Sequence, residues 1–569
     1  MYSEEKLNVV LCWHMHQPPY RDEHDGRYKL PWTYLHAVKD YVDMAAHLEA
    51  CPGAKCVVNF SPTLLEQIDD YSQQCKRYLE DRTPVTDPIL SALVTTDFPT
   101  DPTRRTALIK ACLKANEERA IARYEAFQQL VALVGEVKNL ATRSLYLSNQ
   151  FIADLLVWYH LVWIGETVRH QDPRIKYLIN KSRLYNYDDR NLLFTVISEL
   201  LDRLILRYRK LAERGQVELS FTPYSHPIMP LMLDLKSAQQ AWPEITLPNA
   251  DHYPGGEERA HWQVEKGIEC FERFFGFKPS GCWPAEGAVS TATLKLLAEH
   301  DIKWAASGEN VLSNSLAPDD KLLPEKEWLY LPYRINNTNL HSFFRDDGLS
   351  DLIGFEYARW HGDDAVANLI SHLVTIAERS KGNPDRIVSI ILDGENAWET
   401  YPYNGYYFLS ALYKHLSVHP SINLTTYDEY LGVKRAAPAL SDITAGSWVH
   451  GTFSTWIGDP GKNRAWDLLC EAKLAFDEEK RSGRLKNEEL ALAEQRLAIC
   501  EASDWAWWFG DYNPEGAVGD FDNMYRRHLA NLYRILDLPI PESLGSVISR
   551  GSGAPAAGGV MRTGQDFSR

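Results

Sequence analysis

Seven short apolar runs, each ending in polar residues with chemistry to offer, constrain this chain more than anything else in it. LNVVLCW (7–13) leads into His14-Met15-His16-Gln17-Pro18, AKCVVNF (54–60) into Ser61-Pro62, and VELSF (217–221) into TPYSHP. KPSGCW (278–283) leads into PAEG, IKWAAS (302–307) into GEN, LHSFF (340–344) into RDDG, and RIVSIIL (386–392) into DGEN. The runs show little polar alternation, as expected of parallel strands covered by helices. Helical patterns separate them: ADHYPGGEERAHWQVEKGIECFERFF (250–275) precedes the fourth run and TATLKLLAEH (291–300) follows it. A long insertion near 104–214 is mostly helical, with Ile109, Leu113, Ile121, Tyr124 and Val131 at roughly helical spacing. Strand, helix, strand, with chemistry at each strand's carboxyl end, is the logic of an α/β barrel. Seven runs predict a (β/α)7 barrel, an incomplete TIM-like barrel, over residues 1–434.

Past residue 430 the pattern turns helical, through 464–505 and 523–536, which predicts a C-terminal all-helical domain over 435–545. The last stretch, 546–569, is rich in Gly, Ala and Ser with almost no apolar anchor and reads as a disordered tail. A net charge of −17 argues against a nucleic-acid partner. No window approaches the roughly 20 apolar residues of a membrane span, and MYSEEKLNVV lacks the apolar core of a secretory signal. Nine scattered cysteines without a CxxC pair read as reduced thiols, and the expectation is a cytoplasmic protein. Seventeen Trp and twenty-nine Tyr form a heavy aromatic load; most belong in a large core, but flat rings also suit the C–H faces of sugars.

Three constellations carry the chemistry. His14 and His16 are two apart on a strand and project from one face, before Pro18 and Pro19 force the chain out of the ladder. Such a pair can ligate zinc, orient a substrate hydroxyl or pack in a core. Glu286, in Gly281-Cys282-Trp283-Pro284-Ala285-Glu286-Gly287, is a carboxylate among small neighbours beside an indole. Asp393 and Glu395 end the most strand-like run, on one face with Gly394 between them. Two neighbouring acids shift each other's pKa, so one can stay protonated at neutral pH; they can also hold a divalent cation, and Asp393 can simply cap a helix. Glycoside hydrolysis needs two opposed carboxyl groups, and Glu286 and Asp393 sit at the ends of separate strands.

The chain resembles glycoside hydrolase family 57 along most of its length. His16-Gln17-Pro18, with His14 before it, matches that family's opening motif, and Tyr224-Ser225-His226-Pro227-Ile228 its second. Trp283 and Glu286 match the third, Asp393 in LDGENAWE the fourth, and Ser503-Asp504-Trp505-Ala506-Trp507-Trp508-Phe509-Gly510-Asp511 the fifth. The resemblance implies a (β/α)7 barrel, a helical domain closing over the site, and retaining chemistry on α-1,4-glucosidic bonds, in some members also α-1,6. Glu286 would be the nucleophile and Asp393 the general acid/base, with no metal or cofactor required. His14, His16, Gln17, His226, Glu395 and Asp504 would hold the sugar, and Trp283, Trp456 and Trp505 would stack on it. The motifs look most like the amylopullulanase and α-amylase group, acting on an α-glucan oligosaccharide or polysaccharide. A 4-α-glucanotransferase or branching enzyme is the nearest alternative. A zinc-dependent hydrolase of the α-mannosidase or deacetylase type, or a non-catalytic glucan-binding protein, lies further off.

Overall fold

Each of the seven runs folds into a strand, and all seven pair in parallel. They are β1 (Leu7–Met15), β2 (Cys56–Phe60), β3 (Val217–Phe221), β4 (Gly281–Cys282), β5 (Trp304–Gly308), β6 (His341–Arg345) and β7 (Ile387–Asp393). Neighbours follow chain order from β1 to β6, while β7 pairs with β1 along seven residues and touches β6 at Ser389 and Arg345, closing the (β/α)7 barrel. The fold is known from a computed structural model that describes residues 6–137, 139–316, 324–379, 383–553 and 561–562. Residues 1–5, and 554–560 and 563–569 of the tail, on which the readings of the two termini partly rest, lie outside the described residues.

Strand periodicity sorts the side chains. Val10 and Cys12 of β1, Val57 of β2, Trp304 and Ala306 of β5, Phe343 of β6 and Ile387 and Ile391 of β7 fill the barrel interior as one apolar cluster. Their alternates, such as Val9, Leu11, Trp13, Val58, Val388 and Ile390, face outward into the main core beneath the helices. Two residues beyond Cys12, Val57 and Ile391 on the same inward face come His14, Asn59 and Asp393. Register aligns all three, since His14 pairs with Asp393 on one side and Asn59 on the other. The polar layer that caps the barrel is thus fixed by counting along strands whose lower layers are apolar.

The fourth run is the shortest strand, because Pro279 and Pro284 bracket it. Pairing nevertheless extends past its ends, through Trp283 N–H to Phe221 O and Lys303 N–H to Ser280 O. Helices start and stop where local chemistry dictates. The helix expected over 250–275 begins only at Gly256, after Pro254 and the left-handed Gly255. The helical stretch 464–505 is divided into Pro460–Ser482, Glu488–Cys500 and Asp504–Trp508, the first ending on left-handed Gly483. The insertion near 104–214 is a succession of helices ending in Tyr187–Glu213, and TATLKLLAEH forms Thr291–Glu299. Among the described residues no helix is long and apolar enough to cross a membrane. All nine cysteines are free thiols.

The helical region is tied to the barrel by a buried charge pair. Glu501 receives Arg259 Nε at 2.7 Å, the Tyr253 hydroxyl at 2.6 Å and Gln263 Nε2 at 2.5 Å. Gln263 in turn accepts from Ser225 N–H at 2.9 Å, beside His226. Pro227 and Ala502 form an antiparallel bridge, and Ser503 N–H donates to His226 O. This clasp delivers Asp504 to the barrel mouth.

Candidate active site

His14 begins the site, and its tautomer follows from its neighbours. Asn59 Nδ2 donates to Ser220 Oγ at 3.0 Å, which leaves Asn59 Oδ1 to accept from His14 Nδ1 at 2.7 Å. His14 Nε2 is then an acceptor, and His226 Nε2 donates to it at 3.0 Å. His226 Nδ1 must accept in turn, from the Ser503 hydroxyl at 2.8 Å. Such a chain requires two neutral rings, and burial provides them: the imidazolium forms are penalised first by loss of water and then by the neighbouring histidines. The pKa of His14 falls to about 3, and that of His226 lies well below the usual value. His226 also holds a left-handed backbone, φ +63°, which a non-glycine residue keeps only where its surroundings over-determine it.

His16 lies face to face on His226, 3.7 Å between ring centroids and 11° between planes. Its Nδ1 meets Ser61 Oγ and its Nε2 meets Asp504 Oδ1, each at 2.8 Å. Asp504 Oδ2 is buried and finds no donor among the described residues, so one acceptor remains for an incoming hydroxyl. His16, His226 and Asp504 bring one donor atom each to within 4.8 Å of one another and are the set that could hold a metal. Their geometry, however, is of stacked ring faces and satisfied nitrogens, not of lone pairs converging on a tetrahedral centre.

Glu286 stands on the turn that follows β4, at φ +58° and ψ +24°. The next residue must be glycine: Gly287 also has φ +58°, and a Cβ there would lie 2.8 Å from the Trp283 ring. Trp448 holds Glu286 twice, with its backbone N–H on the main-chain carbonyl at 3.0 Å and its indole N–H on the carboxylate Oε2 at 2.9 Å. Burial, and then the charge of Asp393, push the Glu286 pKa up to about 8. Burial also lifts Asp393 to about 6, against the pull of Asn396 Nδ2 at 3.1 Å, His16 and Arg345. Asp393 lines the cleft, and Glu286 meets its wall through Trp448. The Asp393 charge raises both Glu286 and, after burial, the neighbouring Glu395, which lies well above its usual range, so the ionisation of Asp393 opposes that of the other two.

Other predicted residues lie elsewhere. The strand ends at Asp393, and Gly394 N–H turns onto His14 O at 2.6 Å, so Glu395 does not share the face of Asp393. Glu395 is instead buried, accepting from Gln17 Nε2 at 3.1 Å, while the Tyr20 hydroxyl donates to Gln17 Oε1. Gln17 and Glu395 therefore brace the strand ends behind the site. None of the three indoles expected to stack on sugar has a free face. Trp283 is 0% exposed and packs edge-on against Trp448. Trp456 is likewise 0% exposed, and Trp505 lies among Phe521, Tyr525 and His528 with its N–H on Ile499 O. The aromatic walls beside Asp393 are Trp448 and Trp507, joined by Arg345, Phe355 and Val449. Sequence reasoning passed over Asn59, Arg345, Trp448 and Ser503. Arg345 and Asn59 stand at strand ends like the residues that were chosen, whereas Trp448 sits in an irregular stretch that lacks any strand or helix pattern.

The closed (β/α)7 barrel carries Glu286, Asp393 and a histidine cluster at its carboxyl-terminal mouth, an arrangement suited to a glycoside hydrolase. The profile of glycosyl hydrolase family 57 matches residues 10–441, and the chain belongs to that family. Among solved structures it is similar to a GH57-type branching enzyme from Pyrococcus horikoshii, with TM-score 0.58 and 16% identity over 95% of this chain and 94% of that one. It is also similar to the α-amylase AmyC of Thermotoga maritima, with TM-score 0.56 and 12% identity over 94% and 93%. A 4-α-glucanotransferase of Thermococcus litoralis aligns with TM-score 0.50 and 15% identity, over 93% of this chain and 60% of that one. At these identities the likeness is one of fold.

Proposed function

We propose that the protein cleaves α-1,4-glucosidic bonds of starch- or glycogen-type α-glucans with retention of configuration, with α-1,6 bonds as the alternative linkage. The observation that carries this reading is the placement of Glu286 on the turn after β4 and of Asp393 at the end of β7, close enough for the Asp393 charge to raise the Glu286 pKa. Glu286 attacks the anomeric carbon; the C1–O bond breaks, a C1–Oε ester forms, and the Asp393 proton passes to the departing oxygen. Asp393 then takes a proton from water, whose oxygen bonds to C1 as the ester breaks. Of the two acids, Glu286 holds a proton more tightly than Asp393. Positive charge developing on the sugar beside Glu286 favours its ionised form and moves the proton to Asp393, where the leaving oxygen needs it. The free lone pair of Asp504 holds a hydroxyl of the reacting sugar, while neutral His14 and His226, whose ring nitrogens are already paired, back the stacked His16 that Asp504 engages.

A second reading has the family's own support, since related folds include a branching enzyme and a 4-α-glucanotransferase. It differs only in what reaches the ester: an acceptor sugar in place of water. Incubation with maltoheptaose, amylose and pullulan separates the two. Rising reducing ends and an α-configured first product seen by NMR are expected for retaining hydrolysis. Longer and shorter chains at constant reducing ends would establish transfer, and new α-1,6 links branching. Unchanged turnover in Glu286→Gln would remove that residue from its role.

A further inference from the structure

Trp448 lies outside every motif of the chain, yet it makes the two hydrogen bonds that define the geometry of Glu286. Its own placement is over-determined. Its backbone passes β5 at Gly308, where a Cβ would stand 2.6 Å from Trp448 Cα, so only glycine allows the approach. Val289 and Gly446 bridge the turn of Glu286 to the segment that carries Trp448. The indole meets the edge of Trp283 at 5.2 Å, and the Arg345 guanidinium lies over it at 5.4 Å. Arg345 is itself pinned by Asp347 and Asp351, each at 2.6 Å, and by Ile391 O at 2.8 Å, two residues before Asp393.

We propose that Trp448 is a positioning residue for the attacking carboxylate, and that Arg345, by packing on its ring, couples it to the strand that carries Asp393. The proposal rests on the reading of Glu286 as nucleophile and extends it. An indole N–H donating to one carboxylate oxygen does two things: it aims the other oxygen at the cleft, and it stabilises the ionised form that attacks. Glu286 is faced by Trp448, Asp393, Asp504 and Arg562, and of these Trp448 makes the hydrogen bond that favours ionisation.

Trp448→Phe keeps the ring and removes the donor. Its kcat/KM on maltoheptaose is expected to fall about ten- to a hundredfold, with the alkaline limb of the pH profile moving up by about one unit. A residue that only packs would lower the plateau and leave the limb in place, and that outcome overturns the proposal. Arg345→Lys keeps the charge but loses the planar fork, and is expected to shift the limb in the same direction by less; a variant equal to wild type would remove Arg345 from the proposal. Glu286→Gln is measured in parallel. If it retains turnover, the functional reading fails; if it is inactive while Trp448→Phe matches wild type, only the role of Trp448 fails.

A second, independent observation concerns what already occupies the cleft. Met561 and Arg562 line the pocket with Asp393, Trp448 and Trp507, and the open space left there is about 20 Å³, room for a water or two. Arg562 lies over the Trp507 ring at 4.2 Å and the Tyr512 ring at 4.7 Å, and donates to Thr455 Oγ1 and Trp507 O, both at 3.2 Å. A flat cation thus covers the Trp507 ring in the pocket that Asp393 lines. We infer that Met561 and Arg562 act as an internal occupant that a glucan must displace. The test is maltoheptaose binding to the full chain in the Glu286→Gln background, with and without Met561→Gly and Arg562→Ala together. A several-fold lower Kd in the altered chain is expected. An equal or higher Kd overturns the inference, whereas no binding by either chain sinks the glucan reading itself.

Discussion

Between pH 5 and 9, kcat/KM should trace a bell, because the reaction needs one proton on the pair formed by Glu286 and Asp393. With steps at about 6 and about 8, the singly protonated fraction is 1/(1 + 10^(6−pH) + 10^(pH−8)). It peaks at roughly 0.8 near neutrality and falls to roughly a tenth at either end of that range. A drop of about ninefold on both sides of the optimum follows. Asp393→Asn sharpens the test, since the Asp393 charge is the second cause, after burial, of the raised Glu286 pKa. Assayed on a maltooligosaccharide fluoride, whose leaving group needs no proton, this variant should retain its first step. Its activity should rise with pH through a single ionisation below about 8. Initial rates across buffers of constant ionic strength provide the measurement. A wild-type profile flat over the whole range, or an Asp393→Asn profile with its limb still at about 8, would refute the coupled-pair reasoning.

Stability should respond to the same groups with opposite sense. Glu286 has a folded pKa raised from 4.5 to about 8, so its native state gains a proton and the protein loses stability as pH rises through that interval. Glu286→Gln should therefore melt higher than wild type at pH 9 and indistinguishably from it at pH 4; calorimetric scans at the two values decide it. Glu501→Gln leaves Arg259 buried without its counter-charge and should cost about 3–5 kcal/mol, read as a lower midpoint in urea. Gly287→Ala must accommodate a left-handed φ and a Cβ 2.8 Å from Trp283. It should cost about 1–3 kcal/mol and most of the turnover, measured as Tm and kcat; normal kcat would show that the Glu286 turn tolerates a side chain.

How far the sequence could be read follows from what each residue depends on. The seven strands, and the inward face of His14, Asn59 and Asp393, depend on period-two alternation in continuous apolar runs, and a local pattern suffices. Glu395 shows where that logic stops: two residues beyond Asp393 means the same face only while the strand continues, and the bond from Gly394 to His14 O ends it. Trp456 and Trp505 show a different limit. An indole beside a motif looks like a sugar platform, but whether its face is open depends on residues distant in sequence, here Phe521 and Tyr525 over Trp505, and Trp507 against Trp456. Trp448 is the converse case. It reaches Glu286 from 162 positions away in an irregular stretch, so no periodicity marks it, and only the close passage at Gly308 brings it there. Local pattern therefore locates the carboxylates, whereas their protonation and aim are set by contacts distant in sequence. A family motif can name the attacking residue, but the resting position of its proton depends on Trp448, Arg345 and Arg562, which no motif contains.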